Sequence, residues 1–222
     1  MVLHFAVIIL SVLFLRLLLV LLDIYSSRKC AVGEVYNFSS KSTSRHPNAS
    51  TLVVLGSGGH TSEMLKLLTH VQSTLYKPMI FVIADTDTTS ASRLNQFSPS
   101  ATTFRIPRSR EVGQSYTSSI ITTLWSLAYS LLLVFKLRPD LVLCNGPGTC
   151  LPVVASTLLC RILGLCRGKV VFVESFCRVT SLSLTGLICY NIVDQFIVHW
   201  SELQEKYPMS LRISTMVRHA KE

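Results

Sequence analysis

Three patterns of apolar and polar positions follow one another along the chain, and each predicts a different kind of element. From Val2 to Leu22 the run is apolar apart from His4, Ser11 and Arg16. As a helix it measures about 31 Å, enough to cross the hydrocarbon core of a bilayer. Residues 26–50 are rich in Ser, Asn, Lys and Arg, with Gly33 and Pro47, and predict a flexible tether. From Thr51 onward, short apolar runs bounded by turn residues alternate with longer helical stretches. That alternation is the mark of a parallel α/β sheet.

The alternation predicts strands from Thr51 to Leu55, Met79 to Ala84, Thr103 to Ile106, Leu141 to Cys144, Val170 to Glu174 and Gln195 to His199. Helices are predicted from Thr61 to Gln72, Ala91 to Gln96, Tyr116 to Lys136, Thr149 to Leu165, Leu182 to Tyr190 and Ser201 to Lys206. Six strands and five crossovers fill the length, so the fold class is an α/β parallel sheet behind an N-terminal transmembrane helix. The expected division is an anchor at 1–25, a tether at 26–50, a sheet domain at 51–208 and a tail at 209–222. Within the third crossover, Ile120 to Phe135 is apolar but carries Thr122, Thr123, Ser126 and Ser130. It reads either as a buried crossover helix or as a helix lying in the membrane interface, with Trp125 and Tyr129 near headgroups.

Composition agrees with membrane association. Only 15% of the 222 residues are charged, against about 25% in ordinary soluble domains. A cleaved signal peptide is the competing reading of the first run. It lacks a basic leader and a small-residue cleavage site, so an uncleaved anchor is expected. Arg16 lies close enough to the end of the span to snorkel toward headgroups. Arg28, Lys29, Lys41 and Arg45 all follow the span, which places the body in the cytosol. Asn37-Phe38-Ser39 and Asn48-Ala49-Ser50 are glycosylation sequons that this placement leaves unused. Seven cysteines (30, 144, 150, 160, 166, 177 and 189) without a Cys-x-x-Cys pair suggest free thiols, not a zinc site or a disulfide framework. The net charge of +9 is scattered and does not form a stripe interleaved with aromatics. A phosphorylated lipid uses that charge better than a nucleic acid.

Ligands of open parallel sheets bind beyond the carboxyl ends of the strands. There the chain places Gly56-Ser57-Gly58-Gly59-His60-Thr61, a glycine turn opening a helix, where free N–H groups and the dipole attract phosphate. A dinucleotide fingerprint needs a third glycine where Thr61 stands, although Asp85 ends the second strand as a ribose-binding acid would. His60 is placed to act as a general base or to donate to a phosphate, with helix capping or plain exposure as alternatives. Asn145-Gly146-Pro147-Gly148-Thr149 repeats the strand–glycine–helix arrangement, so two glycine turns face one crevice. Arg105, Arg108 and Arg110 follow the third strand and suit a diphosphate or anionic headgroups. Glu174 ends the fifth strand, where it could pair with Arg178 or bind a hydroxyl. No carboxylate cluster suggests a metal, and no cofactor is implied.

Five ordered motifs then carry a resemblance: Val53-Val54-Leu55-Gly56-Ser57-Gly58-Gly59-His60-Thr61, Val82-Ile83-Ala84-Asp85-Thr86-Asp87, Ile106-Pro107-Arg108-Ser109-Arg110-Glu111-Val112, Pro139 through Cys150 and Val173-Glu174-Ser175 through Cys177-Arg178-Val179. Together they closely resemble the asparagine-linked glycosylation 14 family. These are membrane-anchoring subunits of the UDP-N-acetylglucosamine transferase of dolichol-linked oligosaccharide synthesis. The family is similar to the amino-terminal half of the bacterial transferase that makes lipid II. The resemblance implies the Rossmann-like, acceptor-side half of a GT-B enzyme on the cytosolic face of the endoplasmic reticulum. It implies a dolichyl-diphosphate-N-acetylglucosamine acceptor and a separate soluble catalytic subunit, with other enzymes of the same pathway as further partners. His60 matches the family's histidine. Gly56, Ser57, Gly58, Gly59 and Thr61 match its acceptor-facing loop, and Asn145, Gly146, Gly148 and Thr149 its second glycine motif. With Arg108, Arg110 and Glu174 they form the expected acceptor site. After Pro208 the sequence departs from the family's usual ending, which in the family helps hold the catalytic partner.

Overall fold

The computed structural model describes residues 1–36, 49–69, 71, 76–110, 113–146 and 148–213. Both sequon asparagines, Lys41, Arg45, Glu111, Pro147, the expected helix end at Gln72 and most of the tail lie outside the described residues. Seven parallel strands form one sheet: β1 (Thr51–Leu55), β2 (Met79–Ala84), β3 (Thr102–Ile106), β4 (Leu141–Asn145), β5 (Lys169–Val173), β6 (Gln195–Val198) and β7 (Leu211–Arg212). Their order is β3-β2-β1-β4-β5-β6-β7. The central register sets Leu55 beside Asn145 across β1 and β4, and Asn145 beside Val173 across β4 and β5. Three strand ends therefore meet at one level.

The sequence leads to six strands, and the structure adds β7 inside the expected tail, where Leu211 is buried and pairs with Ile197. Two residues have no periodicity to read, and only the exposed edge of β6 makes them a strand.

Alternating residues of each strand feed two cores. Val53, Leu55, Phe81, Ile83, Leu143 and Val173 meet Met64, Leu65 and Leu68 of α2 (Gly59–Leu68) and Leu94 of α3 (Thr88–Phe97). Leu52, Val54, Val82, Val142, Cys144, Val170 and Phe172 face the opposite layer of α4 (Tyr116–Leu137), α5 (Cys150–Ile162) and α6 (Leu184–Cys189). This two-period burial is what a doubly covered parallel sheet requires. A last helix, α7 (Ser201–Lys206), links β6 to β7 and buries Leu203.

The first helix, α1, runs from Val2 to Tyr36, past the expected anchor end and well into the expected tether. Tertiary contacts explain the extension. Ile24 is buried, Lys169 Nζ reaches Ser27 Oγ at 3.0 Å, and Gln195 Nε2 donates to the Ser27 carbonyl at 2.9 Å. Arg28 donates to the Tyr190 carbonyl and lies 4.6 Å over the Tyr190 ring. Arg16 does not end among headgroups: its Nε and Nη2 donate to the carbonyls of Ile162 and Arg161 at 3.2 and 3.1 Å. A cation there meets the negative end of α5. Asp23 completes the joint, 2.7 Å from both Arg161 and Lys169, while Arg161 also binds Asp194 at 2.7 Å. The N-terminal apolar helix is thus fastened to the sheet domain.

Candidate functional site

The order of strands places a switch point between β1 and β4, because the crossover from β1 leads toward β2 and the one from β4 toward β5. Loops diverge there and leave a crevice beyond the carboxyl ends. A cavity of about 880 Å³ occupies it, walled by the glycine turn before α2, the loop after β3, the turn after β4, the loop after β5, and faces of α4 and α6.

The two glycine turns meet in a specific way. Gly58 caps α2 at φ 68°, a left-handed conformation, so the helix starts at Gly59 and puts His60 in its first turn. Gly146 follows β4 at φ 99°, and a Cβ there would lie 2.6 Å from His60 Cγ. The second turn needs glycine because the imidazole packs against its backbone. His60 Nδ1 is 3.1 Å from Asn145 Oδ1, and Asn145 Nδ2 donates to Glu63 Oε2 at 3.3 Å. Ser175 Oγ donates to Glu63 Oε1 at 3.0 Å. Capping by the His60 side chain is not observed.

Ser57, Gly59, His60, Arg108, Arg110, Gly146, Gly148, Thr149 and Glu174 of the expected site line one cavity. Thr61 does not. It is fully buried, and its Oγ1 donates to the Gly56 carbonyl and lies 2.6 Å from Ser90 Oγ, closing the turn on itself. Gly56 and Gly58 shape the turn from behind, and Asn145 is buried beneath His60. Arg105 spends its guanidinium on the Asp85 carbonyl at 2.8 Å, away from the crevice. Glu174 does not pair with Arg178: its Oε1 accepts from Ser175 N, and its Oε2 from Ser183 N and Oγ, each at 3.0 Å. It ties the loop after β5 to the start of α6. A Cβ at Gly186 would sit 2.1 Å from that carboxylate, so α6 needs glycine to approach it.

Arg110 donates to the Gln114 carbonyl at 3.1 and 2.9 Å, which orients it along the rim. Between the two arginines, Ser109 donates to the Gly148 carbonyl at 2.9 Å, and its own carbonyl accepts from Thr122 and Thr123. The polar face of α4 thus grips the arginine loop. Ser119, Ser126 and Ser130 of that face are buried, whereas Ile120, Ile121, Leu124, Trp125, Tyr129, Leu132 and Phe135 are exposed. α4 is therefore not a wholly buried crossover helix: Val134 joins the core, but most of its apolar side chains face outward, while serines of its polar face turn inward.

Glu63 escaped the sequence reading. The signal was present, since positions i and i+3 share a helix face, but Glu63 falls outside the glycine motif. His199, at the end of β6, packs edge-on to Phe176 at 5.4 Å. Burial lowers its pKa, with Glu63 and Glu174 acting in the opposite direction. Among the described residues no grouping of three His, Cys, Asp or Glu is close enough to hold a metal ion.

Residues 51–216 match the family described as "Oligosaccharide biosynthesis protein Alg14 like". The chain belongs to the Alg14 family. The human UDP-N-acetylglucosamine transferase subunit ALG14 is 49% identical over 180 residues, covering 76% of this chain and 83% of the human one. Its Yarrowia lipolytica counterpart is 39% identical over 171 residues, covering 74% and 79%. In fold, the chain is similar to MurG of Acinetobacter baumannii, with a TM-score of 0.52 at 15% identity, over 69% of this chain and 41% of MurG. The Alg14 match begins where β1 begins, so α1 lies outside it, and it continues past Pro208 to include β7. All four crevice loops fall within the Alg14 region.

Proposed function

We propose that this chain is the membrane-anchoring, acceptor-side subunit of the UDP-N-acetylglucosamine transferase that adds the second N-acetylglucosamine to dolichyl-diphosphate-N-acetylglucosamine. Its place is the cytosolic face of the endoplasmic reticulum, where it recruits a soluble catalytic subunit that carries the nucleotide-sugar site. The observation that carries this reading is one sheet, similar to about two fifths of a complete GT-B enzyme, with a polar crevice at its switch point and an apolar helix fastened to it.

The chemistry of the crevice fits a lipid diphosphate. Arg108, Arg110 and Arg178 line one cavity with the backbone of Gly59 and Gly148, and guanidinium forks suit phosphate oxygens. Leu151, Leu184 and Ile188 line the same cavity and suit an apolar chain. The outward apolar face of α4 gives the body a second surface that favours lipid, beside α1. Such a placement brings the crevice to the level where a dolichyl diphosphate presents its sugar. His60 is the base for the acceptor hydroxyl, and no metal is required for inverting transfer by this route.

The test is reconstitution in vesicles containing dolichyl-diphosphate-N-acetylglucosamine. The isolated chain should transfer no sugar, and addition of the catalytic subunit should restore transfer. Transfer by the isolated chain would overturn the split-enzyme reading. A chain that acts purely as a scaffold would keep full activity when Gly146 is replaced, because nothing in the crevice would then touch the acceptor.

A further inference from the structure

We propose that Glu63 is a positioning residue that fixes the tautomer of His60 through Asn145. The inference rests on the reading of His60 as the base for the acceptor hydroxyl. An ionised carboxylate only accepts hydrogen bonds, and Glu63 receives Ser175 Oγ on Oε1 at 3.0 Å and Asn145 Nδ2 on Oε2 at 3.3 Å. A side-chain amide has one donating and one accepting end. Committing Nδ2 to Glu63 turns Oδ1 toward His60 Nδ1, 3.1 Å away. Because Oδ1 can only accept, Nδ1 must carry the proton. The lone pair of the neutral ring is then on Nε2.

The path is built from three separated parts of the chain. His60 and Glu63 stand one turn apart on α2, Asn145 is the last residue of β4, and Ser175 follows β5. Asn145 is almost fully buried, so its amide cannot rotate into water to exchange its ends. Gly146 holds the ring from the other side, where a Cβ would press on Cγ and Nδ1. The imidazole therefore has one position and one protonation pattern. During transfer the acceptor O–H bond breaks with its proton passing to Nε2. The oxygen lone pair forms the bond to the anomeric carbon of the nucleotide-sugar donor on the catalytic subunit. The bond from that carbon to the nucleoside diphosphate breaks, and its electrons leave with the diphosphate. Glu63 Oε2, 3.7 Å from Nδ1, faces the imidazolium so formed.

The test uses the complete heteromer with three variants, Glu63→Ala, Glu63→Gln and His60→Ala. Imidazole ¹⁵N shifts of histidine-labelled chain, assigned by loss of the His60→Ala signal, report the tautomer without reference to turnover. The native chain should show His60 protonated on Nδ1. Glu63→Ala should give a mixture of tautomers and a fall in kcat of about a hundredfold, the lower range for a proton-transfer group, with the acceptor KM unchanged. Glu63→Gln keeps a carbonyl facing Asn145 Nδ2 and should restore both the tautomer and most of the turnover. Native nitrogen shifts in Glu63→Ala would overturn the proposal, as would a loss confined to KM. Failure of Glu63→Gln to restore either signal, with membrane retention and partner capture intact, would assign the effect to charge and also overturn it. Undiminished turnover in His60→Ala would remove the base reading itself, an outcome the nitrogen shifts separate from a failure of the relay.

Discussion

The two ends of the sheet both gather charged side chains, and they use them in opposite ways. At the amino ends of β5 and β6, Asp23, Arg161, Lys169 and Asp194 saturate one another, and Asp194 also accepts from Val170 N at 2.8 Å. These pairings join the N-terminal helix to the body. At the carboxyl ends, Arg108, Arg110 and Arg178 line a cavity beside a histidine with one ring nitrogen committed. The first cluster joins parts of the structure, whereas the second lines a cavity. Buried ion pairs are costly to break from one side but contribute little net stability when intact.

The largest test of that contrast is at the joint. Asp194→Ala leaves Arg161, only 4% exposed, with a half-exposed Asp23 as its remaining carboxylate. Loss of about 3 kcal/mol of stability is expected, read as a drop in the thermal midpoint of the detergent-solubilised chain. Gly146→Ala tests the other end. The added methyl must displace His60, so turnover of the complex should fall about a hundredfold, the scale of small misplacements of reacting groups, with the fold retained by circular dichroism.

A smaller effect sharpens the comparison. Asp23→Asn removes a half-exposed carboxylate whose partners keep Asp194, and should cost less than about 1 kcal/mol. An effect as large as that of Asp194→Ala would mean that Asp23, not the buried pair, organises the joint. Thiol reactivity separates open from closed surfaces without mutation. Cys177 is exposed at the crevice and should react with maleimide, with acceptor slowing it. Cys144 and Cys189 should stay unlabelled until unfolding: contact with Cys150 and burial raise the first thiol, and burial raises the second. The smallest effect is on pH. His199 is held below its ordinary value by burial, so the unfolded chain binds the proton more readily. Stability is full above about pH 6.5 and declines as pH falls through it. His199→Gln should flatten that slope in melts recorded between about pH 5 and 8.

Much of the fold was legible because its signals are local. Strand positions follow from runs of Val, Ile and Leu between turn residues, and glycines at 58 and 146 mark left-handed backbone that other residues resist. The crevice followed from where those turns fall on a parallel sheet. Sequence alone therefore determined the long apolar N-terminal helix, the α/β class, the two glycine turns and His60 between them. It did not determine which polar residues face a ligand. Thr61 sits in the motif yet turns inward to Ser90, while Glu63 sits outside it and faces the cavity. Nor did it determine that residues after Leu22 dock as helix, that Leu211 extends the sheet, or that α4 faces outward with its apolar side. The reason is physical in each case. Periodicity records which residues share a face, but the direction of that face is decided by the elements packed against it, and those come from distant parts of the chain.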